Sequence, residues 1–154
     1  MSVDTEIRFE ASFKSKIADE YGYYTIYFDK NETFRDISRY STGPVIILRT
    51  EVFEDDSMSD EIPVRSYNEE GLFVLQFFDK ASGKRSFSTF YTRLRNAYRN
   101  NTINNRLDPA EGEEGTIYIR NITQRPTNDV PTVNSQLQWK RKDIFLPYNK
   151  IYTQ

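Results

Sequence analysis

The sequence predicts an α+β domain: a mostly antiparallel sheet of about five strands with two main helices packed on one face. The prediction rests on the order in which hydrophobic periods occur. A four-residue period opens the chain, stretches of period two follow in succession, a second helical period comes next, and extended stretches end it. Strands in runs, rather than strictly alternating with helices, argue against a doubly wound parallel sheet. The 154 residues fit one domain, and no repeat or composition shift marks a boundary, so residues 1–154 are read as a single unit.

Each element carries its own signal. Phe9, Phe13 and Ile17 recur every four positions and Tyr21 closes the stripe, behind Asp4 or Ser2 as a cap; Gly22 then stops the helix. Tyr23 to Asp29 alternates Tyr24, Ile26 and Phe28 with Tyr23, Thr25 and Tyr27, the period of a strand. Residues 30–42 have no period and read as a surface loop. Pro44 to Glu54 is the clearest strand, with Ile46, Leu48, Thr50 and Val52 on one face. A polar loop from Asp55 to Pro63 follows. Val64 to Phe78 is extended again, and Gly71 at the end of Asn68-Glu69-Glu70-Gly71 predicts a bulge or tight bend within a long antiparallel hairpin. From Ser86 to Asn100, Phe87, Phe90, Tyr91, Leu94, Ala97 and Tyr98 fall within roughly 120° of one helical face. Asn101 to Gly115 and Thr123 to Gln136 read as loops, while Thr116 to Ile122 and Gln138 to Tyr148 read as the closing strands.

Composition narrows the chemistry. The chain has no cysteine, which excludes disulfides, thiolate metal sites and cysteine nucleophiles. Nor has it histidine, which removes the commonest general base and metal ligand and every imidazole-based triad. The six glycines have no phosphate-loop or dinucleotide spacing. Met1 to Glu6 is polar, and no apolar run is long enough to span a membrane, so the expectation is synthesis in the cytoplasm and no membrane partner. Aromatic residues reach 15% although mean hydropathy is −0.74, which suits contact surface around a modest core. These features point to a binding protein rather than an enzyme.

Net charge is only −2, but its distribution is polarised. Between Glu51 and Glu70 there are eight acids against one base, Arg65. From Lys80 to Leu107 there are seven bases and no acid, and Arg85, Ser88, Thr92, Arg95 and Arg99 share one polar helical face. The acidic run Asp55 to Glu61 could supply oxygen ligands to Ca²⁺ or Mg²⁺, though it lacks the spacing of an EF-hand loop. Its simplest role is a solvated hairpin tip. The basic face could hold phosphate, yet it offers few arginines beside the roughly 6–10 contacts of a typical nucleic-acid binder. The two segments could pair within one molecule, or the acids Glu54, Asp55, Asp56, Asp60 and Glu61 could meet Arg85, Arg95 and Arg99 of a neighbouring copy in a head-to-tail interface. No cofactor and no sequence-specific nucleic acid is expected.

The order of elements and the residues filling it resemble the tail terminator proteins of long-tailed bacteriophages. Ile26-Tyr27-Phe28-Asp29-Lys30-Asn31-Glu32-Thr33-Phe34 is similar to the hydrophobic strand and Asn-containing turn that follow the first helix in that family. Gly71-Leu72-Phe73-Val74-Leu75-Gln76-Phe77-Phe78, then Gly83 and the aromatic helix, resemble its central strand, glycine turn and second helix. Trp139 with Phe145-Leu146-Pro147-Tyr148 resembles its closing strand and terminal segment. The resemblance implies a non-enzymatic virion subunit forming a hexameric ring at the head-proximal end of the tail tube, where it halts polymerisation and faces the neck. Its implied partners are copies of itself, the tail tube protein and a neck or connector protein, in a tail assembled in a bacterial host. Two alternatives stay open: another neck or head-completion subunit of similar fold, and a Mg²⁺-dependent nucleic-acid-processing enzyme using Asp and Glu.

Overall fold

The computed structural model of the chain describes residues 3–27, 44–56, 66–80, 86–99, 102–112, 115–125, 128–130 and 139–153. The first helical segment is α1 (Val3–Phe13), which passes through a π-helical turn (Lys14–Ala18) into a closing turn, α2 (Asp19–Tyr21). The π turn follows from the spacing of the aromatic stripe. Each four-residue step drifts by roughly 40° around an α-helix of 3.6 residues per turn, and a wider i→i+5 turn takes that drift back. Phe9, Phe13 and Ile17 are thereby all fully buried. Tyr21 does not close the stripe as expected: it is 44% exposed. One further step carries it off the buried face, where its ring lies 4.1 Å from the Arg93 guanidinium. Gly22 ends the helix in the left-handed region at φ 72°.

Strand β1 (Tyr24–Tyr27) is followed by β2 (Val45–Asp56), β3 (Ser66–Lys80) and α3 (Ser86–Ala97). A 3-10 turn (Ile103–Asn105) then leads to β4 (Arg106–Leu107), β5 (Thr116–Ile119), β6 (Thr123–Gln124), β7 (Asn128–Val130) and β8 (Trp139–Thr153). The sheet order is β1-β2-β3-β8-β5-β4, with β6 and β7 also on β8. Only β1 and β2 run parallel among the described pairs; the rest are antiparallel. The architecture is the expected α+β fold.

Several boundaries differ from the sequence reading. Asp55 and Asp56 belong to β2 rather than to a loop. The expected interruption at Asn68–Gly71 is absent, since β3 runs unbroken for 15 residues. The irregularity falls instead on β2, where Phe53 is the extra residue between the rungs Val52↔Gly71 and Glu54↔Glu70. Gly71 serves close approach rather than a turn. A Cβ there would lie 2.5 Å from the Glu51 carbonyl oxygen and 2.6 Å from the Tyr148 ring. The stretches 101–115 and 123–136, read as loops, contain β4, β6 and β7. Strands of two or three residues carry no readable period, and they form because β8 is 15 residues long and its outer edge is paired piecewise.

The core lies between the helices and one face of the sheet. Phe9 stacks on Phe73 with centroids 4.0 Å apart, and Phe73 stacks on Tyr148 at 4.3 Å, so one column of rings joins α1, β3 and β8. Phe90, Leu94 and Tyr98 of the second helical face are buried, and Phe87, Tyr91 and Ala97 pack against them, as the periodicity predicts. The opposite sheet face is also apolar at Val45, Ile47, Val74 and Phe78, all buried.

One end of this core is polar. Thr5 is fully buried, and its hydroxyl donates to Glu69 Oε2 at 3.1 Å while accepting from Lys150 Nζ at 3.1 Å. The Tyr148 hydroxyl donates to the same carboxylate oxygen at 2.8 Å. Glu69 and Lys150 are direct cross-strand partners, buried to 2% and 4% exposure. Buried charge is tolerated only when bonded in this way. Nearby, Arg8 donates to the Leu107 carbonyl at 2.7 Å and ties α1 to β4.

Gly71→Ala should cost about 1–3 kcal/mol, because both neighbours of the added methyl are held in place; a wild-type melting temperature would contradict the close approach. Thr5→Val keeps the shape but removes both hydroxyl bonds, and should cost roughly 1–3 kcal/mol in urea denaturation while Thr5→Ser stays near wild type. Equal stability of the two variants would refute the bridging role.

Candidate functional site

Helix α3 buries its aromatic face, which turns the opposite face to solvent. Ser88, Thr92, Arg95 and Arg99 are all exposed there. The first turn is pinned by Ser86, whose hydroxyl bonds to Asp79 at the end of β3. Arg93 belongs to the same basic segment but is used internally: it donates to the Tyr23 hydroxyl at 2.9 Å and lies over Tyr21.

A second wall comes from the chain leaving β5. The Arg120 amide donates to the Pro147 carbonyl at 2.7 Å, and Arg120 Nε donates to Asn149 Oδ1 at 3.0 Å. The Tyr91 hydroxyl donates to the Ile122 carbonyl at 3.1 Å, which fastens this wall to α3. Between the walls is an open cleft of about 530 Å³, with Thr92, Arg95, Asn96 and Arg99 on one side and Arg120 and Asn121 on the other. Arg95 lies 5.7 Å from the Tyr91 ring and Arg120 5.5 Å from the Tyr118 ring. Stacked guanidinium groups keep their donor edges available.

The cleft is strongly cationic. Among the described residues the ion pairs are Arg49–Glu51, Arg106–Asp108 and Arg141–Asp143, none of which involves Arg95, Arg99 or Arg120. Behind the cleft, Lys16 sits 5.0 Å from the Tyr98 ring and donates to the Asn104 carbonyl at 3.4 Å. Burial lowers the Lys16 pKa below the ordinary lysine value. Three guanidinium forks and several amide or hydroxyl groups around one opening are suited to binding carboxylate or phosphate oxygens.

The expected interface residues separate into groups. Arg95 and Arg99 come together in the cleft, whereas Arg85, Asp60 and Glu61 lie outside the described residues. Glu54, Asp55 and Asp56 form the last stretch of β2, paired with Glu70, Glu69 and Asn68. Two successive rungs therefore set acid opposite acid. The sheet order β2-β3-β8-β5 puts this end of β2 three strand positions, roughly 14 Å, from the strand leading into the second wall. Arg120 and Asn121 were not singled out from the sequence. They fall outside the basic run, and only the pairing of β5 with β8 brings them opposite α3.

No family model matches the chain, and no curated protein matches it. One solved chain has a similar structure, with a TM-score of 0.57 and 15% sequence identity over 94% of each chain. At that identity the likeness concerns the fold alone. Among the described residues, no helix is long and apolar enough to cross a membrane.

Because Arg95 and Arg99 make no ion pair among the described residues, Arg95→Gln and Arg99→Gln should each change stability by no more than about 0.5 kcal/mol. A loss well beyond that on thermal denaturation would make the cleft a structural element instead of a binding one.

Proposed function

We propose that the chain is a structural subunit that joins copies of itself head to tail into a ring, as a tail terminator at the head-proximal end of a bacteriophage tail tube. One observation carries the assembly part of this reading. A cationic cleft and an acid-on-acid hairpin end occupy different places on one continuous sheet. Surfaces of opposite sign that are not self-complementary produce heterologous contacts, and such contacts close into rings when the rotation permits. Opposite charges also set register and speed encounter.

The identification as a terminator draws on the resemblance in element order, with the tail tube protein and a neck or connector protein as further partners. The reading includes no catalytic step. Its place of action is the virion tail, after synthesis in the host cytoplasm.

The test is particle mass by light scattering together with negative-stain imaging, first of the purified chain and then after mixing with purified tube protein. The proposal expects closed rings, alone or on tube ends, and tubes that stop growing once capped. A chain that stays monomeric and leaves tube growth unchanged would overturn it.

A further inference from the structure

We infer that the cleft between Arg95, Arg99 and Arg120 is a carboxylate slot that receives the Glu54–Asp56 end of the β2–β3 hairpin of a second copy; this deepens the self-assembly reading above and rests on it. The slot supplies what carboxylates require. Guanidinium forks bind them bidentately, and Asn96, Asn121 and Thr92 add neutral hydrogen-bonding groups without competing negative charge.

The hairpin end in turn lacks cations. The rungs Glu54↔Glu70 and Asp55↔Glu69 place like charges directly opposite, an arrangement that destabilises a ladder. Glu69 cannot relieve it by swinging out, because Tyr148 and Thr5 both bond its carboxylate inside the core. A cationic surface from outside would relieve it.

The cation cannot come from the same molecule's cleft. Following the rungs Asp55↔Glu69↔Lys150↔Ile117, Arg120 lies three strands across, about 14 Å, and three residues along, about 10 Å. The separation exceeds the combined reach of the two side chains, and β2 stays paired with β3 as far as Asp56. A nucleic-acid strand fits the slot less well. It would need more phosphate contacts than three arginines supply, and Tyr98, the ring at the cleft, is buried at 1% exposure and offers no stacking face.

Charge reversal tests the slot in the full-length chain. One variant carries Arg95→Glu, Arg99→Glu and Arg120→Glu; another carries Glu54→Lys, Asp55→Lys and Asp56→Lys. Far-UV circular dichroism establishes that both are folded, and light scattering reads association. Each variant alone should associate at least about tenfold more weakly than wild type. An equimolar mixture of the two should regain it, because each then supplies the partner the other needs. In parallel, a synthetic peptide of residues 50–62 is titrated into the full-length chain and into Arg120→Glu, with a short single-stranded oligonucleotide as competitor.

Rings that persist in the cleft-reversed variant would overturn the slot and leave the ring reading standing. Peptide binding that Arg120→Glu abolishes, without any ring, would support the slot and remove the ring. A folded mixture that stays dissociated, or an oligonucleotide that displaces the peptide at lower concentration, would also overturn the slot.

Discussion

The fold depends on the pairing of β3 with β8, two strands of 15 residues held in antiparallel register. That pairing sets Tyr148 over Gly71 and stacks it on Phe73, and Phe9 of α1 completes the column. The same register puts Glu69 opposite Lys150, where Thr5 bridges them and fixes the start of α1. A slip of one residue would turn the rings to the wrong face and move the buried carboxylate away from its donors. β8 also organises its other edge. By pairing with β5, β6 and β7 in turn it holds Arg120 and Asn121 beside α3, so the cleft is a consequence of the central ladder.

Strong periodicity was legible in the sequence, and pairing between distant segments was not. The helix bearing Phe90, Leu94 and Tyr98 repeats its apolar positions over three turns, and its buried face is the one the spacing requires. The stripe of Phe9, Phe13 and Ile17 was equally visible, but the π turn that keeps it aligned was not, because local hydrophobicity does not report helical underwinding. Gly71 was recognised as irregular and given the wrong reason. Its neighbour across the sheet is 77 positions later in the chain, and nothing near Gly71 announces the Tyr148 ring. The buried Glu69 read as one more acid of a solvated run, since the groups that satisfy it come from both ends of the chain.

The candidate site divides in the same way. Arg95 and Arg99 were found because both lie on one helical face, a local property. Arg120 was missed because its membership in the cleft is a property of the sheet. The acids of β2 were found as a charge run, yet their setting differs from a floppy solvated tip: they continue a regular ladder and face other acids across it. Fixed positions make such charges better suited to recognition, since little side-chain and backbone freedom remains to be lost on contact.

The central claim is the head-to-tail meeting of hairpin and cleft. The chain contains no cysteine, so engineered cysteines are unique reporters. Asp55→Cys and Asn121→Cys, prepared as separate chains, mixed and mildly oxidised, provide the most direct measurement. The account predicts a disulfide-linked heterodimer well above the yield of either homodimer, and a ladder of higher species when both cysteines are in one chain. Linkage no greater than that of cysteines placed at Asp19 and Asp108, two exposed positions outside the cleft and the hairpin, would contradict it.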